Sequence, residues 1–213
     1  MIESITVKKG SNLEEILFFK KIKLKQVTFL FGGNGVGKTS LIDAISKNVD
    51  IKINFDDGTK TKIFLYKNSE HNFRNISEFN PYLIKQKYEA SGLSEGQSII
   101  YSLQDLFELC DEIKNDGNSV ILLDEIDSGL SLDNVEYLSD KIKHISNNYP
   151  NLQFIIAFNN FEFCRNFPEV LNMYDGNWIN IENYEEYKKL LKDNRDKLLE
   201  KRKNNQFTGN VDW

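Results

Sequence analysis

The stretch FLFGGNGVGKTSLIDAI, residues 29–45, constrains the fold of this chain more than any other. An apolar, β-branched and aromatic run leads into it, and a run with helical spacing at Leu41, Ile42 and Ile45 leaves it. The sequence therefore predicts a buried strand, a tight loop and a helix in succession. Within the loop, Gly32 is followed after four residues by Gly37-Lys38-Thr39, the spacing of a phosphate-binding loop. Glycines let consecutive backbone N–H groups curl around a β-phosphate, with Gly33 and Gly35 adding freedom that a plain turn does not need. Lys38 is placed to reach the β- and γ-phosphates, and the Thr39 hydroxyl to ligate Mg²⁺. Gly32, Gly33, Asn34, Gly35, Val36, Gly37, Lys38, Thr39 and Ser40 form the candidate cradle.

A second motif, SVILLDEIDSGLSLD, carries Asp124 and Glu125 to the carboxyl end of another apolar run, where open α/β sheets place their ligands. Asp124 is the candidate metal ligand. Glu125 is the candidate that polarises an attacking water.

The remaining segments support an α/β fold with a mainly parallel sheet. SITV, EEILFFKKIKL and QVTFLFG read as strands, and an N-terminal antiparallel β portion is expected. IKINFDDGTKTKIFLY alternates apolar and polar residues around DDG, which predicts a hairpin. Residues 67–90 are polar and carry no firm assignment. SEGQSIIYSLQDLFELCDEIKNDG reads as a long amphipathic helix closed by Gly117, DNVEYLSDKIKHISNNYP as another helix, and LQFIIAF as another buried strand. The charged tail after residue 183 is helical, with Tyr184, Tyr187, Leu191 and Leu198 on one stripe and Glu185 and Lys189 spaced as an i,i+4 pair. One domain, residues 1–180, and a helical extension, residues 181–213, are expected.

Composition narrows the partners. A formal net charge of −5 and a pI of about 5.2 give no global basic field for nucleic acid, though a local patch stays open. Cys110 and Cys164 stand apart with no paired ligands, which predicts neither a disulfide framework nor a zinc site. No segment approaches the ~20 apolar residues of a membrane span, and a cytoplasmic protein is expected.

The stretch ASGLSEGQSII, residues 90–100, puts small residues at the start of a helix. Such a start is either an ordinary Ser cap with Glu95 in the first turn, or a place where an anion meets unsatisfied N–H groups. Taken in order, GGNGVGKTS, LSEGQ and ILLDE resemble the phosphate loop, signature and metal-binding strand of an ATP-binding-cassette (ABC) ATPase head, over roughly residues 1–180. The resemblance implies ATP and Mg²⁺ as ligands and a homodimer on ATP binding. In that family the signature helix of one subunit would present Ser94, Gly96 and Gln97 to the γ-phosphate held by the other.

Several positions depart from the family pattern. Only about 55 positions separate Lys38 from the signature, which implies a reduced helical arm and leaves little surface for a transporter permease. Lys67 and Asn68 stand where the family has its Q-loop glutamine, and Gln86 lies close to the signature. DSGLSLD resembles the D-loop, with Ser131 in place of Asp. Asn159 occupies the place of the switch histidine, and neither His71 nor His144 has a comparable setting. The chain is most similar to compact non-transporter cassettes such as RecF, OLD-type ATPases and the ATPase subunits of phage-defence systems. The resemblance implies an ATPase with Glu125, Lys38 and Asn159 as catalytic candidates, coupling nucleotide state to an effector protein or DNA, with antiviral defence as one setting. Its alternatives are a nucleotide-gated regulatory module with weak hydrolysis and, further off, a transporter subunit.

Overall fold

Three runs, VTFLF, SVILLD and LQFIIA, form the centre of the molecule because almost nothing in them has to meet water on either face. The computed structural model describes residues 1–56, 61–67 and 95–208. Its elements are β1 (Ile2–Val7), α1 (Asn12–Ile16), β2 (Lys21–Lys23), β3 (Val27–Phe31), α2 (Lys38–Lys47), β4 (Ile51–Phe55), β5 (Lys62–Lys67) and α3 (Glu95–Ile113). After these come β6 (Ser119–Asp124), α4 (Leu132–Asn148), β7 (Leu152–Ala157), α5 (Glu162–Asn166), β8 (Glu169–Asn172), β9 (Trp178–Asn180) and α6 (Tyr184–Thr208). Among the described residues the main sheet has the order β5-β6-β7-β3-β8-β9, parallel except for its last pair. This is the α/β fold with a mainly parallel sheet that the sequence predicts.

Successive strand residues point to opposite faces, and that alternation splits the core in two. Phe29, Phe31, Ile121, Leu123, Phe154 and Ile156 pack on one face against Leu103, Leu106 and Ile113 of α3 and Val135, Leu138 and Ile142 of α4. Leu30, Val120, Leu122, Ile155 and Ala157 pack on the other against Leu41, Ile42 and Ile45 of α2 and Ile2 and Ile5 of β1. A small antiparallel sheet, β2-β1-β4, covers this second face, as the expected N-terminal β portion. Gln153, buried on β7, joins the two sheets: its Oε1 accepts the Ile2 N–H at 2.8 Å, and its Nε2 donates to Ile2 O at 2.9 Å and Lys25 O at 3.0 Å.

Three local expectations are corrected. The run containing DDG is not a hairpin, because β4 pairs antiparallel with β1 while β5 pairs parallel with β6 in the other sheet. EEILFFKKIKL is not one strand: α1 occupies its beginning and β2 its end. Ser11 nucleates α1, its Oγ accepting the Glu14 N–H at 3.3 Å while Glu14 Oε2 reaches back to the Gly10 N–H at 2.6 Å, a variant of the capping box. On α6, Glu185 pairs with Lys188 at 2.7 Å rather than with Lys189. Of the expected stripe, Tyr187 and Leu198 are buried and Leu191 packs partly against the core, but Tyr184 is 54% exposed.

The reduced helical arm falls mostly on residues 68–94, outside those described. The helix expected from SEGQSIIYSLQDLFELCDEIKNDG is present as α3, starting at Glu95.

Candidate functional site

The site begins where β3 runs out. Gly32 follows the buried Phe31, and Gly37 precedes α2 with φ of +98°, in the left-handed region. A Cβ at Gly37 would stand 2.7 Å from Leu17 Cδ2 and 2.8 Å from Ile16 Cγ2 of the α1 segment, so both backbone and neighbours require glycine. The loop between them lines a cavity of about 400 Å³ together with Lys38, Thr39, Ser40, Asp124, Glu125 and Asn159. Ten sequence-predicted residues from three separate segments are thus brought to one place.

Parallel pairing explains the convergence. β3, β6 and β7 end at the same edge of the sheet; β3 runs into the glycine loop, and β6 and β7 each carry a polar residue at or just past their last apolar position. Asp124 ends β6, and its Oδ1 accepts from Thr39 Oγ1 at 3.1 Å. Glu125 follows with φ of +55°, a left-handed conformation that is sparsely populated for a residue with a Cβ and clusters at functional sites. Asn159 follows β7 at one remove, and its Oδ1 accepts from Lys38 Nζ at 2.9 Å. Lys38 also donates to Gly32 O.

Burial and charge oppose each other here. Burial lowers the Lys38 ammonium from its ordinary value, while the carboxylates of Asp127, Asp124 and Glu125 pull it back up. Burial raises Asp124, and the Thr39 hydroxyl bond counters it. A hydroxyl and a carboxylate oxygen 3.1 Å apart beside a phosphate cradle match the sparse protein ligation of Mg²⁺, which takes the rest of its oxygens from water and phosphate. Among the described residues no group of three His, Cys, Asp or Glu could cage a metal by itself.

Lys67 closes β5 in register with Asp124, and its Nζ lies 2.6 Å from Asp43 Oδ1 on α2. A cation held by a carboxylate therefore stands where the sequence resemblance leads one to expect a Q-loop glutamine. Of the signature residues, Gly96 and Gln97 fall in the first turn of α3, and Ser94 lies outside the described residues, as do His71 and Gln86.

Sequence reasoning missed two residues that touch this site. Asp127 Oδ2 accepts the backbone N–H groups of Asn159 and Asn160, each at 2.6 Å. The hydroxyl of Tyr187 on α6 donates to the Asn159 carbonyl. A tyrosine on the buried stripe of a helix was the available signal, because its polar tip needs a partner.

A glycine loop of this kind, seated between the strand and helix of a parallel sheet, makes this a P-loop nucleotide-binding domain. The family described as "ATPase family associated with various cellular activities (AAA)" matches residues 28–168, and the chain belongs to it. No curated protein matches the chain by sequence. Among solved structures, the fold is similar to cbiO1 from Clostridium perfringens, part of the ABC transporter complex cbiONQ, at 19% identity and a TM-score of 0.52 over 84% of this chain and 87% of that one. It is similar to an ATP-binding cassette of an ABC transporter in its ADP conformation, at 15% identity and a TM-score of 0.54 over 91% and 96%. A dimeric ATP-binding cassette bound to ADP and Pi is similar at 13% identity and a TM-score of 0.51 over 86% and 98%. At these identities the likeness is one of fold, that of ABC ATPase heads. No described helix is long and apolar enough to cross a membrane.

Proposed function

We propose that the chain binds and hydrolyses ATP with Mg²⁺ as a head-to-tail homodimer, and that the ATP state is read by an effector protein or DNA. The observation that carries this reading is the meeting of Lys38, the Thr39–Asp124 pair, Glu125 and Asn159 around one glycine-lined cavity. The backbone N–H groups of residues 32–37 and the Lys38 ammonium take the phosphates, and Ile16 gives the rim an apolar edge for the base. Thr39 and Asp124 would hold Mg²⁺, which supplies charge neutralisation on the transferring phosphoryl group. The Glu125 carboxylate orients a water and accepts its proton as the water oxygen attacks the γ-phosphorus and ADP leaves. Asn159, released from Lys38 by the incoming phosphates, turns its amide donor toward the γ-phosphate. Lacking a titratable ring, it supports slow turnover.

Residues 1–180 serve as the ATPase head and 181–213 as its extension in this reading. The setting is a compact, cytoplasmic, non-transporter ATPase, with antiviral defence or DNA repair as the process served. The same geometry supports a nucleotide-gated regulatory module if Glu125 turns over poorly.

If the signature helix completes the partner's site, ATP and Mg²⁺ drive the Glu125→Gln variant from monomer to dimer in light scattering. Adding Ser94→Arg, which places bulk and charge where the γ-phosphate sits, keeps that variant monomeric. A Glu125→Gln protein that stays monomeric with saturating ATP contradicts the sandwich homodimer.

A further inference from the structure

The side-chain oxygen and both backbone polar groups of Asn159 are engaged by three different parts of the chain. Its side-chain oxygen accepts from Lys38 Nζ at 2.9 Å, its N–H donates to Asp127 at 2.6 Å, and its carbonyl accepts from the Tyr187 hydroxyl. Asp127 and Tyr187 are 7% and 5% exposed, so neither contact competes with bulk water. Asp127 also takes the Asn160 N–H at 2.6 Å, gripping two successive amides beyond β7 with one oxygen.

Tyr187 is fixed from the other side as well. Its ring meets Phe31, the residue before Gly32, edge-on with centroids 5.4 Å apart, and packs against Phe161 at 5.5 Å. About two turns further along α6, Asn194 Nδ2 donates to Asn172 Oδ1 at the end of β8 at 3.1 Å. The helix thus lies across the carboxyl ends of β7, β3 and β8, touching the base of the phosphate loop and the Asn159 backbone through one side chain.

Backbone pinning on both sides leaves Asn159 a single freedom, rotation of its amide. Phosphate oxygens draw Lys38 away from the neutral amide oxygen, because a full negative charge attracts the ammonium more strongly than a carbonyl dipole does in a site poor in water. The amide is then free to present its N–H₂ to the γ-phosphate without the chain around it moving. We propose that Tyr187 and Asp127 are positioning residues for Asn159, and that α6 is thereby coupled to whether the cradle holds a γ-phosphate. This rests on the reading of the cradle as an ATP site.

The test compares affinity for the non-hydrolysable triphosphate AMP-PNP with affinity for ADP, both with Mg²⁺, by calorimetry on the full chain, so that hydrolysis plays no part. Asn159→Ala sets the loss expected when γ-phosphate sensing is gone. Tyr187→Phe keeps the ring against Phe31 and removes one hydrogen bond. Its preference for AMP-PNP over ADP falls about fivefold, the scale of one such bond, with ADP affinity unchanged. An unchanged preference, or equal loss for both nucleotides, overturns the proposal. Hydrogen exchange on the parent chain gives a second readout that needs no variant: AMP-PNP shifts the protection of residues 184–199 relative to ADP. Identical protection with the two nucleotides overturns the coupling. A parent that binds ADP but fails these tests sinks this inference alone, whereas a parent that binds neither nucleotide sinks the ATP reading with it.

Discussion

Lys38 and Asp127 carry their charges with 8% and 7% of each residue open to solvent, and burial works against both. It lowers the ammonium and raises the carboxylate, and each is returned toward its charged form by partners: the surrounding carboxylates for Lys38, the Asn159 and Asn160 amides for Asp127. The two cysteines show the same physics without compensation. Cys110 lies on the buried face of α3 and Cys164 is buried in α5, and burial pushes each thiol from an ordinary 9.0 up to about 12. The thiolate is the reactive form, so both should be inert in the folded protein. Ellman's reagent at pH 8 is expected to find no fast-reacting thiol in native protein and both after unfolding in urea. Two thiols reacting at once in the native state would place them at the surface instead. The same shift has a sign for stability: between pH 9 and 12 the unfolded chain loses thiol protons that the folded chain keeps, so these groups weaken the fold as pH rises through that window.

Among elements, β3, β6 and β7 are legible as apolar runs and α2 as a helical spacing of apolar residues, each with an unambiguous boundary. The glycine loop separates β3 from α2, and acidic or amide residues stop β6 and β7. The run through DDG is misleading because alternation and a turn signal describe strands without naming their partners. Ile51–Phe55 finds β1 and Lys62–Lys67 finds β6, pairings set by sequence-distant surfaces. The α1 turn was legible after all, in the Ser11-Asn12-Leu13-Glu14 spacing, but the apolar residues after it imitate a strand. Gln153 was not legible, since a lone polar residue in an apolar strand says nothing about which backbone it satisfies. Gln153→Leu keeps the volume and leaves one N–H and two carbonyls without that partner. It should cost about 2–4 kcal/mol in urea unfolding at an unchanged slope. A loss under about 1 kcal/mol would show that the two sheets do not depend on this bridge.

At the scale of the whole molecule, the phosphate side of the site was readable because its residues are consecutive, and its opposite side was not. Asn159 is joined to Asp127 across 32 positions and to Tyr187 across 28, and no spacing rule connects them. The fold makes those connections by ending parallel strands at one edge and laying α6 across it. On the proposed reading this edge hydrolyses ATP through Glu125, with Lys38 holding the phosphates. Phosphate release, measured on parent, Lys38→Ala and Glu125→Gln proteins alongside equilibrium ATP binding, tests it most directly. Mg²⁺-dependent turnover is expected in the parent, with loss of binding in Lys38→Ala and ATP binding without turnover in Glu125→Gln, where the amide keeps the shape but cannot accept the proton. Comparable turnover in Glu125→Gln and the parent would contradict it.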